Sequence, residues 1–386
     1  MCLWRGGLIS SVNASDPQLE SPSMNQGQPL NQIREELGRN AATKIDYVVP
    51  ARTIHAVPIH NYIIGIEGLH PDKALPLDNH ANIQLANYVG IPKPYYEKLL
   101  KNSASLLSAN INYWLNKMDS HRLIRTINGV IVAILTDKYK ILDNDRLLDA
   151  ILPILEERRC EVLSSCLTGT KLYIKAATPN ISRIIQSSNT PDDVVQAGIM
   201  VTNSEVGHGK LSILPFTYRT CCKNGIIKDI VSNGAIRRQH LGRGFEIGEE
   251  VYSIEPELME SSKDRKFWDR VQSTIAKALS DEMFDRVVNN IEFAARIQIK
   301  TQDAERVANR IRMKYDIPQP ASDYILKYIM KEGDFSKWGL VNAVTQSAND
   351  FTDYETSTFL EKVGGDILTC TSDEWRRLGG QVLPQR

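Results

Sequence analysis

The sequence lacks several features that would assign it directly to a protein class. Its 386 residues contain no apolar run of about 18 residues, so no transmembrane helix is expected. Six cysteines are few for this length and follow no framework spacing, which predicts reduced thiols in a cytoplasmic protein. Basic and acidic side chains number 46 each, so the whole chain has no net attraction for polyanions. Only 7% of the residues are aromatic, which argues against generic coating of nucleic acid by base stacking.

Three regions differ in composition. Residues 1–45 are rich in Ser, Asn, Gln and Pro, which predicts a disordered or flexible segment with one helical turn near residues 33–39. Residues 46–255 contain β-rich runs and turn signals, and they predict an α+β domain with a mainly antiparallel sheet and packed helices. Residues 256–386 have helical periodicity and predict a helical C-terminal region.

The stretch LIRTINGVIVAIL carries the clearest local signal. Asn128 and Gly129 separate two β-rich runs, and this pair favours a type I′ turn, which needs positive φ at both central residues. A two-residue β-hairpin is therefore predicted. The following residues 145–157 have the periodicity of a helix. Residues 170–178 have the alternation of a strand, with Leu172, Ile174 and Ala176 on one face and Lys171, Tyr173 and Lys175 on the other.

A helix, a glycine and a second helix are predicted over residues 79–103, where Gly90 ends the first helix. This outline is that of a helix-turn-helix, in which the second helix enters the major groove of DNA. That helix carries only Lys98 and Lys101, however, and has two tyrosines where polar base-reading side chains are needed. Plain packing of two helices explains the same pattern.

The polar stretch VTNSEVGHGKLSILPFTYRTCCKNGII, residues 201–227, raises the question of a functional site. The wider segment 201–243 carries seven basic and two acidic side chains, so it is locally cationic. Such a surface attracts phosphate, although Lys and Arg also protect sheet edges from aggregation. The glycines of GHGK free the backbone to approach an anion, but the Walker A spacing of a nucleoside triphosphatase is absent.

Three other interpretations fit this stretch. A metal site would use His208, Cys221, Cys222 and His240, but adjacent cysteines on a strand point to opposite faces, so no metal ion or cofactor is predicted. Acid–base or nucleophilic catalysis would use Glu205, His208 or a cysteine. In the third interpretation, both polar clusters are turns that satisfy their own backbone groups.

One site built from both clusters would require the two ends of residues 211–220 to meet. A straight strand of about ten residues holds its ends roughly 30 Å apart. The chain would therefore have to bend, and Pro215 is the natural place, because proline has no N–H to donate within a sheet.

Four stretches occur together and in this order: LANYVGIPKPYY, LIRTINGVIVAILTDKYKILDN, GIMVTNSEVGHGKLSILPFTYRTCCKNGII and GLVNAVTQSAND. As a set they resemble the phage/plasmid-like protein family, a domain of unknown function found in bacteriophages, plasmids and bacterial genomes. The similarity runs from about residue 45 to residue 370. The family pattern matches Asn203-Ser204-Glu205, Cys222-Lys223-Asn224-Gly225 and His240. The resemblance implies DNA metabolism of mobile elements and brings no established activity.

The leading prediction is non-catalytic binding of nucleic acid, and of single-stranded DNA in particular, in phage or plasmid replication or recombination. Base stacking is predicted on Tyr139 and Tyr173. Phosphate contacts are predicted for Arg122, Arg125, Lys138, Lys140, Lys171, Lys175, Lys210, Arg219, Lys223, Arg237 and Arg238. Two alternatives stay open: an enzyme centred on Glu205, His208 and His240, and an interaction protein whose helical C-terminus recruits a partner. No membrane partner is expected, and a homo-oligomer is compatible with the sequence.

Overall fold

The structure, a computed structural model, describes residues 27–60, 63–139, 142–186, 193–227, 236–238, 252–254 and 262–380. Only the backbone is described for His60 and for residues 236–238, 252–254 and 262–266. Lys140 and His240 lie outside the described residues, and the side chains of Arg237 and Arg238 do as well.

The N-terminal part of the chain alternates helices with short strands. Its described elements are α1 (Leu30–Thr43), β1 (Ile45–Pro50), β2 (His55–His60), β3 (Ile63–Glu67), β4 (Leu75–Pro76), α2 (Asn79–Tyr88), α3 (Lys93–Asn102), α4 (Ala104–Leu115), β5 (His121–Ile127), β6 (Val130–Thr136) and α5 (Asn144–Glu157).

The rest of the chain contains the long strands and then the helical region that the sequence predicts. Its described elements are β7 (Glu161–Leu167), β8 (Leu172–Ile184), β9 (Val194–Asn203), β10 (Leu211–Arg219), β11 (Asn224–Ile227), β12 (Ile236–Arg238), β13 (Tyr252–Ile254), α6 (Ser262–Ala278), α7 (Asp281–Arg296), α8 (Ala304–Tyr315), α9 (Gln319–Glu332), α10 (Lys337–Gln346), α11 (Tyr354–Thr369) and α12 (Ser372–Arg377).

The described strands form three sheets. The first has the order β13-β1-β5-β6, and the second has the order β2-β3-β4. The third has the order β11-β10-β9-β8-β7, and β12 also pairs with β10. Every pair of strands in these sheets is antiparallel, so the predicted α+β class is confirmed.

The predicted hairpin is confirmed, and it joins β5 to β6. Asn128 has φ of 52° and Gly129 has φ of 74°, the left-handed conformation that a type I′ turn requires. The helix pair is confirmed as well, because α2 and α3 flank Gly90, whose φ is 72°. Apolar side chains of both helices, Leu85 and Leu99 among them, are buried in one core with Ile124 of the hairpin. The pair therefore packs against the first sheet.

The expectation of a flexible segment up to residue 45 is wrong for α1, which is a helix of 14 residues. Its Ile33 and Leu37 are buried in the same core as Leu147 and Leu148 of α5. The four-residue spacing of the two apolar side chains places them on one face of α1. Their burial against α5 stabilises a helix that the polar composition alone does not predict.

Strand β10 runs straight through Pro215. Its pairing with β9 is continuous from Ser212 to Arg219, without a bulge. On its other edge, β10 pairs with β12 as far as Ile213 and with β11 from Phe216 onward, so neither of these strands pairs with Pro215. The predicted bend is therefore wrong, and the two polar clusters lie at opposite ends of β10.

The third sheet is covered on both faces. Leu172, Ile174 and Ala176 of β8 are buried in one core with α5 and α6. On the other face, Tyr173 is buried with Tyr354 of α11. The C-terminal helices form a large core among themselves, and Val195, Ala197 and Ile226 of the third sheet are buried in the same core. Among the described helices, none is both long and apolar enough to cross a membrane.

Candidate functional site

The connection between β9 and β10 is held by side-chain hydrogen bonds to three successive backbone carbonyls. The hydroxyl of Tyr139 donates to the carbonyl of Ser204 at 2.9 Å, and the guanidinium of Arg125 donates to the carbonyl of Glu205 at 3.1 Å. The amide of Gln84 on α2 donates to the carbonyl of Val206 at 2.8 Å. Side chains from the first sheet and α2 therefore hold this segment against the third sheet.

The four residues after this segment form the Gly207–Lys210 loop, which is exposed. Gly207 has φ of 80°, and a side chain there would collide with Leu135 of β6. The backbone N–H of His208 donates to the hydroxyl of Ser204 at 2.8 Å, which closes the turn. The conformation of the loop is thus set by a glycine and by a hydrogen bond to the buried segment.

Two cavities lie on either side of the Gly207–Lys210 loop, and Gly209 and Lys210 line both of them. The strand–helix cavity lies between the third sheet and α11 and has a volume of about 800 Å³. The hairpin cavity lies between α2 and the β5–β6 hairpin and has a volume of about 910 Å³.

The strand–helix cavity has charged walls. Lys171 and Tyr173 come from the sheet side, Glu355 and Lys362 come from α11, and Lys210 comes from the loop. Lys171 forms an ion pair with Glu355, and the hydroxyl of Tyr173 donates to Glu355 at 3.1 Å. The hydrogen bond from Lys171 lowers the pKa of Glu355, so this carboxylate stays ionised.

The hairpin cavity is lined by cations and neutral side chains. The guanidinium of Arg122 lies over the ring of Tyr88, 3.6 Å from its centroid. Nε of Arg122 is buried and makes no hydrogen bond within the described residues. Lys210 supplies a second cation, and none of the described lining residues is acidic. An anion is therefore the ligand that this cavity favours on electrostatic grounds.

Arg125, expected to contact phosphate, is fully buried instead. Its guanidinium donates two hydrogen bonds to the carboxylate of Asp46, both at 2.8 Å, and a third to Asp143 at 2.7 Å. This bidentate geometry satisfies the guanidinium inside the protein. The expectation is therefore corrected: Arg125 joins β5 to β1 and does not reach a bound phosphate.

Lys175 and Arg219 are corrected in the same way. Lys175 forms an ion pair with Glu361 at 2.6 Å, and neither side chain is exposed. Arg219 forms an ion pair with Asp193 at 2.6 Å and is also buried. The alternation of β8 correctly places Lys171, Tyr173 and Lys175 on one face, but that face is covered by α11.

Glu205 belongs to a buried network and not to an open site. Its carboxylate lies 2.9 Å from Nζ of Lys44, which is also 3.2 Å from Asp143 and 3.6 Å from Asp145. The three carboxylates are close enough to hold a metal ion, but the Lys44 ammonium already supplies the positive charge among them. Burial lowers the pKa of Lys44, but Asp143 and Glu205 outweigh that effect and raise it.

His208, the other described catalytic candidate, has different neighbours from Glu205. Its Nε2 lies 3.8 Å from Glu355, and its ring contacts His80 edge-on with centroids 5.3 Å apart. Burial, and then the charge of Lys171, lowers the pKa of His208. The structure therefore does not bring Glu205 and His208 together as an acid–base pair.

The remaining candidates divide between the cavities and the far end of β10. Arg122 and Tyr139 line the hairpin cavity, and Lys171 and Tyr173 line the strand–helix cavity. Both tyrosines are buried and form hydrogen bonds, so they are cavity walls rather than exposed stacking platforms. Lys138 and Lys223 are exposed, and Lys223 lies in the β10–β11 turn, away from the loop.

Sequence reasoning missed three residues that line the cavities, and it misjudged the geometry of two cysteines. Tyr88, Glu355 and Lys362 line the cavities but lie on helices far along the chain from the loop, so no local pattern marks them. The cysteine geometry also differs from the expectation. Cys221 and Cys222 lie in a turn, not a strand, and their sulfur atoms are 3.6 Å apart.

Comparison with known proteins gives one match. A family model described as a domain of unknown function, DUF932, matches residues 132–358. The match begins in β6 and ends in α11, so it contains the third sheet and the Gly207–Lys210 loop. No curated protein and no solved structure matches the chain.

Proposed function

The chain belongs to the DUF932 family, a domain of unknown function, and we propose that it binds single-stranded nucleic acid across the Gly207–Lys210 loop. One observation carries the proposal: two cavities adjoin at Gly209 and Lys210, and one of them is lined by cations with no carboxylate among its described lining residues. A strand laid over the loop would place one nucleotide in each cavity and the phosphate between them beside Lys210.

The charges of the lining residues support an anionic ligand. The two cavities together present the cations Arg122, Lys171, Lys210 and Lys362 and the carboxylates Glu355 and Asp366. The cationic excess is largest in the hairpin cavity. Arg122 and Lys210 are the two cations there, and such groups donate to the oxygens of a phosphate.

The size of the cavities favours a single strand over a duplex. Volumes of about 800 and 910 Å³ fall in the range of roughly 300–1,000 Å³ that encloses a ligand the size of a nucleotide. A double helix is too wide to enter either cavity, whereas an unstacked strand places its bases one at a time.

The proposed biological setting does not rest on the cavities. A role in replication or recombination of phage or plasmid DNA, in the cytoplasm, is implied only by the resemblance of the four sequence stretches. The alternative of an enzyme centred on Glu205 has less support, because that carboxylate is engaged by Lys44. The alternative of a helical interaction region has less support as well, because α10 and α11 pack onto the third sheet.

The test is a fluorescence-anisotropy titration of the protein with a labelled single-stranded oligonucleotide at several salt concentrations. We expect Arg122→Ala and Lys210→Ala each to weaken binding. Each variant should also reduce the slope of log affinity against log salt by about 0.7, because a protein with one phosphate contact fewer releases fewer counterions when it binds. The matched control is Lys98→Ala/Lys101→Ala, which removes two exposed cations of α3 outside both cavities.

Each outcome decides between interpretations. Absence of binding by the folded wild-type protein at low salt refutes the proposal. Weakened binding in the α3 double variant alone favours the helix-turn-helix interpretation instead. Equal competition by duplex DNA refutes the preference for single strands.

A further inference from the structure

Cys221 and Cys222 lie in the tight turn between β10 and β11. Their sulfur atoms are 3.6 Å apart, close enough for contact between the two thiols. Cys221 is exposed and Cys222 is half-buried, so only the first is fully open to a dissolved reagent. Lys223 in this turn has φ of 51°, the left-handed conformation. Arg219, at the end of β10 just before the turn, is fixed by a buried ion pair.

The surroundings of the two thiols are polar and include a fixed cation. Nη1 of Arg219 donates to the sulfur of Cys222 at 3.2 Å. The sulfur of Cys221 lies 3.8 Å from Asp193, and that of Cys222 lies 3.6 Å from Glu332. The hydrogen bond between the two thiols, and then the charge of Arg219, lower the pKa of Cys221, whereas the same hydrogen bond raises the pKa of Cys222. Cys221 is therefore the thiol that favours the thiolate, which is the nucleophilic form.

We propose that Cys221 and Cys222 form a site of reversible two-electron oxidation by a hydroperoxide, in which Cys221 reacts first and Cys222 resolves the product. This assignment is independent of nucleic-acid binding. It rests on an exposed thiol, an adjacent second thiol and a neighbouring guanidinium, the arrangement typical of redox-sensing cysteines.

The chemistry has two steps. The Cys221 thiolate attacks one oxygen of the hydroperoxide, the O–O bond breaks, and the other oxygen takes up a proton and leaves as an alcohol or as water. Cys221 is then a sulfenic acid. The sulfur of Cys222 attacks the sulfur of Cys221, the S–S bond forms, the S–O bond breaks, and water leaves. The two thiols lose two electrons, and the peroxide gains them.

The product should be easily reduced. The Cα atoms of adjacent residues are about 3.8 Å apart across a trans peptide, whereas those of ordinary disulfides are about 4.4–6.8 Å apart. A disulfide between neighbours is therefore strained, and strained disulfides are the labile ones. A thiol reductant should return the turn to the dithiol state.

Cys160 serves as an internal control in the same molecule. It is half-buried, and burial raises the pKa of its thiol to about 11. The hydrogen bond between the two thiols of the turn lowers the pKa of Cys221, and the charge of Arg219 lowers it further against the effect of burial. The larger thiolate fraction outweighs the lower nucleophilicity, so the turn should oxidise at least about tenfold faster than Cys160.

The experiment treats the folded protein with hydrogen peroxide, alkylates the remaining thiols and digests with trypsin. Cleavage after Arg219 and after Lys223 releases residues 220–223, a peptide whose only cysteines are Cys221 and Cys222. We expect this peptide to lose two hydrogens and both alkylation sites before Cys160 reacts. Dithiothreitol should restore both thiols.

Three variants separate the roles. Cys222→Ser should stop at a sulfenic acid on Cys221 that dimedone traps, and Cys221→Ser should abolish fast oxidation of the turn. Glu332→Gln should accelerate oxidation, because its carboxylate raises the pKa of both thiols. The proposal is overturned if the turn reacts no faster than Cys160, or if Cys222→Ser yields no trapped sulfenic acid.

Discussion

The buried ion pair of Lys175 and Glu361 permits a quantitative prediction about stability. Lys175 lies on β8 and Glu361 on α11, their charged atoms are 2.6 Å apart, and both side chains are fully buried. Burial lowers the pKa of Lys175 and raises the pKa of Glu361. Lys175 is both the ion-pair and the hydrogen-bond partner of the Glu361 carboxylate, so it is the main source of compensation for that buried charge.

Replacing Lys175 by Met keeps a long unbranched side chain but removes the ammonium, and Glu361 must then take up a proton. At pH 7 this protonation costs about 3.7 kcal/mol, given an ordinary Glu pKa of about 4.3. That value agrees with the roughly 3–5 kcal/mol observed when one partner of a buried pair is removed. We therefore expect Lys175→Met to lower the free energy of unfolding by about 3–4 kcal/mol at pH 7.

The sign of the pH dependence follows from the raised pKa of the carboxyl group. In the variant, Glu361 has a higher pKa when folded than when unfolded, so stability is lost as pH rises above the ordinary Glu value and is kept below it. The deficit relative to wild type should fall to about 1 kcal/mol at pH 5. Urea unfolding followed by circular dichroism at both pH values measures this change.

Two further variants test the reasoning. Lys175→Met/Glu361→Leu removes both charges and should recover most of the lost stability, because apolar replacement of a whole buried pair is often neutral or stabilising. Arg286→Met removes a cation from an exposed pair with Glu282 and should change stability by less than about 0.5 kcal/mol. A Lys175→Met deficit below about 1 kcal/mol at pH 7, or one that is equal at both pH values, would refute the reasoning.

Two other predictions concern the site and its support. Gly207→Ala should lower the free energy of unfolding by about 1–3 kcal/mol in urea titrations, because φ is positive there and the new methyl group meets Leu135. Asp143→Asn should be less stable than wild type at pH 7 but should lose less stability in acid. Burial raises the pKa of Asp143, but Arg125 outweighs burial and holds this pKa below its ordinary value. The ionised carboxylate therefore stabilises the wild-type protein above about pH 4, and this contribution is lost at lower pH. Urea midpoints at pH 7 and pH 3 measure both effects.

Local sequence patterns predicted the elements whose conformation depends on nearby residues. Asn128-Gly129 defines its turn through its own backbone preferences, and Gly90 ends α2 for the same reason. Burial depends on distant residues and was predicted less well. The alternation of β8 indicated which residues share a face, but nothing local indicates that α11, about 180 residues further on, covers that face and buries Lys175.

Proline and cysteine gave two further errors with specific physical causes. Pro215 was expected to bend β10 because it lacks a donor, but neither β11 nor β12 pairs with it, and a proline is tolerated where one edge of a strand is unpaired. Cys221 and Cys222 were assigned to a strand, where neighbouring side chains diverge. They lie in a turn, where the backbone brings both sulfurs to one side.

The polar cluster NSEVGHGK proves to have two parts with different roles. Asn203, Ser204 and Glu205 are buried, and the carbonyls of Ser204 and Glu205 are held by Tyr139 and Arg125. The Gly207–Lys210 loop, directly after them, is exposed between the two cavities. The cluster therefore contains both a structural turn and an exposed segment that lines the two cavities. The buried half joins the third sheet to Arg125 of the first sheet through a hydrogen bond, and it directly precedes the loop whose Lys210 lines the hairpin cavity together with Arg122.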